Sequence, residues 1–91
     1  MQKKITIHCF ISGKVQGVWF RASTQDKAKE LGLTGFARNL HDGRVEVIAS
    51  GEASKINELH EWLKKGPKLA KVTEVTRDEI EWQDHDRFYV K

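Results

Sequence analysis

The chain has 91 residues, which at roughly 100 to 200 residues per domain makes one domain of residues 1–91 and excludes a two-domain enzyme within them. Sixteen Lys and Arg face 13 Asp and Glu, a net charge of +3, but the surplus is local: residues 1–25 carry Lys3, Lys4, Lys14 and Arg21 and no acid, while the other 66 carry 12 bases and 13 acids. This distribution argues against a uniform basic coat for DNA, and a small anion, a phosphate or a nucleic acid near the N-terminal quarter is the partner to look for.

From residue 4 to residue 12, Ile5, Ile7, Cys9 and Ile11 alternate with Lys4, Thr6, His8 and Phe10, the period of a strand with one buried face. Cys9, the only cysteine, falls on the apolar side as an inert thiol. It allows no internal disulfide and no multi-cysteine zinc site, which fits a reducing, cytoplasmic setting. Lys3 and Lys4 precede an apolar stretch that Thr6, His8, Ser12 and Gly13 interrupt, so neither a signal peptide nor a membrane span is expected. Gly13 to Val18 follow as a loop with two glycines, after which Ala22, Ala28 and Leu31 recur near helical spacing until Gly32 offers a left-handed C-cap.

Residues 34–40 and 44–50 flank His41, Asp42 and Gly43, and Asp-Gly between two extended runs marks a hairpin. Ile56, Leu59 and Leu63 form the stripe of a second helix, with Ser54 as its N-cap, Lys64 and Lys65 in its last turn, and Gly66 and Pro67 as its stop. Residues 72–82, rich in Val, Thr, Ile and Trp, read as a strand, and residues 87–90 as a short last one. The order is βαββαβ with a short extra C-terminal strand. It predicts an α+β, ferredoxin-like sandwich, an antiparallel sheet with two helices on one face.

Two local features suggest chemistry. At the first strand–helix junction, two glycines let successive amides face one point, and the following helix adds its free amides and positive dipole end. Arg21 stands in or beside the first turn, where the dipole disfavours a cation by about 0.3–1 kcal/mol, so a compensating anion is expected. Its planar fork can hold two oxygens of one phosphate. The second feature is Asn39, near the end of a strand whose same-face neighbours, Gly35 and Ala37, are small. An amide there has room beside it and can hold a water in line with a phosphorus atom. Each has a plainer reading: a tight turn with a solvated Arg21, and an Asn39 that merely ends its strand.

The run Gly13, Lys14, Val15, Gln16, Gly17, Val18, Trp19, Phe20 and Arg21, followed by Leu31 to Gly35, Asn39, Asp42, Gly43, Val45 to Val47 and Gly51, resembles the acylphosphatase family. Gly66, Pro67, Ala70 and Val72 extend the resemblance over the later half. Phe36, Ala37 and His41 depart from it, the last where a proline is frequent. The resemblance implies a cofactor-free, metal-independent hydrolase of small acyl phosphates, yielding a carboxylate and inorganic phosphate. It places phosphate binding on Lys14, Val15, Gln16, Gly17, Val18 and Arg21, and catalysis on Arg21 and Asn39. A monomer that binds neither nucleic acid nor membrane is expected.

The four histidines have no ligand spacing, and Glu79, Glu81, Asp84 and Asp86 lack that of a calcium loop. One rival reading is an RNA-binding domain of related fold, but strand three, Arg44 to Ser50, carries no aromatic to stack on a base. The other is an acylphosphatase-like binding or regulatory module without hydrolytic activity.

Overall fold

The computed structural model describes residues 3–91. Alternation in β1 (Lys4–Lys14) organises the sheet: Ile5, Ile7, Cys9 and Ile11 all point into the core. The core continues in β3 (Val45–Glu52) through Val45, Val47 and Ala49 and in β2 (Thr34–Asn39) through Ala37. Two helices cover this face. α1 (Phe20–Glu30) packs Phe20 and Ala28 onto it, and α2 (Ala53–Leu63) packs Ile56, Leu59 and Leu63, the stripe its spacing predicts.

With β4 (Lys71–Ile80) and β5 (Phe88–Val90), the strand order is β4-β1-β3-β2-β5. The first four strands pair antiparallel in the ferredoxin-like arrangement, whereas β5 lies parallel to β2, so the five-stranded sheet is mixed. Phe88 is fully buried and anchors β5, and Gln25 of α1 donates from Nε2 to its carbonyl at 3.1 Å.

Local details differ from the sequence reading. β1 runs two residues beyond Ser12, because a bulge between Ser12 and Gly13 resets its pairing with β4. Gly13 is therefore a strand residue. Its φ is 122°, and a β-carbon there would meet the Lys71 carbonyl oxygen at 2.1 Å, so only glycine fits. Ser54 is not the N-cap of α2: Glu52 holds that position, and the first helical amide, on Ala53, donates to the Lys3 carbonyl at 2.8 Å. Neighbouring backbone satisfies that amide without a side-chain cap.

The opposite face of the sheet is polar and aromatic. Thr6 and Ser50 share a hydrogen bond of 2.7 Å, and the Gln83 amide covers Thr6 at 2.9 Å. Glu46 accepts from His8 at 2.7 Å and from the Arg38 guanidinium, tying β1, β3 and β2 together. Burial opposes ionisation of Glu46, but the hydrogen bonds from His8 and Arg38 and the Arg38 charge outweigh it and hold the carboxyl below its usual range. Burial pushes the Cys9 thiol up to about 12, so it stays protonated and inert.

A depressed carboxyl stabilises the fold above its ordinary value and loses that contribution as pH falls through the folded value. Stability should therefore drop as pH is lowered below 4.5, and Glu46→Gln should be less stable at neutral pH with a flatter acid limb. Urea titrations of both proteins from neutral pH to about pH 3 check this.

Candidate active site

The site is built by a loop that three apolar side chains pin to the core. Val15 and Phe20 are each 1 % exposed and Val18 is 6 % exposed. With those side chains turned inward, the intervening positions face out: Gly17, at φ 74°, and Trp19, at φ 65° and ψ 19°, are both exposed. Phe20 is held further by the Trp62 ring at a centroid distance of 5.9 Å and by Gly66. A β-carbon on Gly66 would come within 2.6 Å of the Phe20 ring.

The first helical bond of α1 runs from the Ser23 amide to the Trp19 carbonyl at 2.9 Å. The amides of Phe20, Arg21 and Ala22 precede it, so they lack intrahelical acceptors and carry the positive end of the helix dipole. No acidic side chain occupies this first turn. Beside it is a cavity of about 440 Å³, lined by Val15, Gly17, Trp19, Arg21, Asn39 and Val90 among others. Arg21 and Asn39, 18 residues apart in sequence, meet here because α1 crosses β2.

Arg21 is half-buried and donates from Nη1 to the Lys91 carbonyl at 2.6 Å. The guanidinium has five N–H groups, so this bond orients it while leaving others for a ligand. The Lys91 carbonyl is carried into place by β5, whose pairing with β2 continues through the Lys91 amide to the Ala37 carbonyl at 2.9 Å. Asn39 Oδ1 is buried and has no hydrogen-bond partner among the described residues. A buried acceptor left unpaired costs about 1–3 kcal/mol, which marks it as an acceptor for a ligand or water.

The expected phosphate-binding residues divide. Val15, Gly17 and Arg21 line the cavity, whereas the buried side chains of Val15 and Val18 leave only their backbone groups for binding. The Gln16 side chain turns away: Nε2 donates to the carbonyls of Leu40 at 2.8 Å and Arg44 at 2.9 Å. It thus fastens the loop to the β2–β3 hairpin next to Asn39. Lys14 stands apart from the cavity lining, because the extended β1 includes it, pairs it with Lys71 and leaves it exposed.

Trp19 enters the sequence reading only within the run that carries the resemblance, and Val90 only within the last strand, although Trp19 falls outside the periodicity of the helix it precedes. Its left-handed backbone costs a bulky residue about 1–3 kcal/mol. Elsewhere, no group of three or more His, Cys, Asp or Glu among the described residues is placed to hold a metal ion. No helix among them is long and apolar enough to cross a membrane.

Comparison with known proteins supplies the family. The family model described as Acylphosphatase matches residues 7–90. An acylphosphatase of Legionella pneumophila (strain Lens) is 50% identical over 90 residues, 99% of each chain. One from Marinobacter nauticus is 58% identical over 73 residues, 80% of this chain and 79% of that protein. The structure of an acylphosphatase from Coxiella burnetii superimposes with a TM-score of 0.94 at 48% identity, covering 97% of this chain and 93% of that one. With the family matched over nearly every residue and the fold superimposed on a member of it, the chain belongs to the acylphosphatase family, the hydrolases of acyl phosphates.

Proposed function

We propose that Arg21 and the backbone amides of the loop 15–18 bind the phosphoryl group of a small acyl phosphate, and that Asn39 positions the water that attacks it. The observation that carries this reading is the pairing of a cation and an unpartnered amide oxygen, Arg21 and Asn39 Oδ1, on one cavity beside a helix N-terminus. The loop and helix amides supply fixed partial positive charge to the equatorial phosphoryl oxygens, and the guanidinium neutralises the charge that develops on them. Asn39 Oδ1 accepts one water proton and so aims a lone pair of the water oxygen at phosphorus.

As the new P–O bond forms, the bond from phosphorus to the acyl oxygen breaks and its electron pair leaves on the carboxylate. A carboxylate is a good leaving group, so no general acid is needed. The water's second proton passes to a phosphate oxygen, which removes the need for a protein base. A loose phosphoryl transition state of this kind requires positioning and charge stabilisation above all. The reaction is metal-independent in this reading. Its products are a carboxylate and inorganic phosphate, and the enzyme works as a cytoplasmic monomer without a nucleic-acid or membrane partner. Lys14 contributes only to the positive field around the entrance.

Hydrolysis of benzoyl phosphate in the presence of a chelator tests this directly. Arg21→Ala should lower kcat by about 10³-fold or more and weaken competitive inhibition by phosphate at the same time. Asn39→Ala should lower kcat by about 10²–10³-fold, the range for loss of one preorganised polar group, with phosphate inhibition nearly unchanged. Equal loss of phosphate affinity in both variants contradicts the division of roles, and a wild-type protein without turnover sinks the hydrolytic reading. Gln16→Ala should lower kcat by about tenfold and reduce stability by about 1–2 kcal/mol, because two hydrogen bonds between loop and hairpin are lost. Steady-state kinetics and urea midpoints measured on the same samples check both numbers.

A further inference from the structure

Beyond the phosphoryl site, the cavity is apolar: Trp19, Ala22 and Val90 share its lining, and Arg21 is the one cation among the described residues that line it. Trp19 is 77 % exposed and Val90 is 39 % exposed, large values for apolar side chains at the mouth of a site. Nothing in the packing of the loop calls for an indole at position 19. The adjoining Val18 and Phe20 make the core contacts, and glycine adopts a φ of 65° without strain. A bulky residue held in a strained conformation, exposed and facing a cavity is the pattern of a functional contact.

We infer that Trp19, with Val90, forms the acyl subsite and selects uncharged acyl groups with a planar apolar face, such as an aromatic acyl phosphate. This rests on the phosphoryl reading above, which fixes one end of the substrate between Arg21 and Asn39 and directs the acyl end toward the mouth. An indole offers a wide, rigid surface for stacking at little conformational cost. An acyl group bearing a second anion would find no further cation among the described residues of the lining.

The test compares benzoyl with acetyl phosphate as substrates, and benzylphosphonate with methylphosphonate as unreactive ligands measured by calorimetry. In the wild type the aromatic member of each pair should be favoured, and Trp19→Gly should reduce that preference roughly five- to tenfold, the scale of one aromatic contact. Trp19→Phe should keep most of it. A preference that changes less than twofold in Trp19→Gly, or that Trp19→Leu retains as fully as Trp19→Phe, overturns the stacking subsite. If the wild type hydrolyses neither acyl phosphate, the hydrolytic reading fails while the phosphonate pair still decides the subsite by the same criterion.

Discussion

The site depends on the inward pull of Val15, Val18 and Phe20. Each is nearly fully buried, and fully burying an apolar side chain of this size contributes about 1.5–3 kcal/mol. Those three anchors leave the backbone between β1 and α1 little choice. Gly17 and Trp19 must turn through left-handed conformations to connect them, and Gly17, Trp19 and Arg21 are left lining the cavity. An anion-binding surface made of backbone needs such a frame, because peptide dipoles pay no reorganisation cost during the reaction only if the peptide planes are held in advance.

A second layer of contacts aligns the frame with Asn39. Gln16 bonds the loop to both sides of the β2–β3 turn, where Asp42 in turn holds the Arg44 amide and guanidinium at 3.1 and 2.8 Å. From the other direction β5 brings the Lys91 carbonyl to Arg21. Arg21 and Asn39 are thus referenced to one sheet through separate sets of hydrogen bonds. Charge at the site is modest, and under the proposed function its arrangement matters more than its amount, since one guanidinium and the dipoles of a helix N-terminus suffice for a small dianion.

Much of this was legible in the residues themselves. Alternation in β1, the Asp42-Gly43 turn and the Ile56, Leu59, Leu63 stripe each report which side of a local element is buried, and burial of those sides makes the sandwich. Arg21 and Asn39 stood out because each is a poor choice for its local position, a cation at a helix start and an amide late in a strand. Such mismatches survive in a sequence when another interaction offsets them.

What the sequence alone determined, then, is the element order, the two-layer packing and the pair of polar residues that carry the proposed chemistry. Tertiary structure decided the rest. The bulge that makes Gly13 a strand residue, the turning of Gln16 toward the hairpin, the cap on Ala53 by the Lys3 carbonyl and the parallel docking of β5 all join segments distant in the chain. The meeting of Trp19 and Val90 on one cavity belongs with them, since 71 residues separate the two. Local periodicity records the preference of a segment for one face. It carries no information about which remote backbone group will complete that segment's hydrogen bonds or share its cavity, because those partners are chosen only when the whole sheet closes on its core.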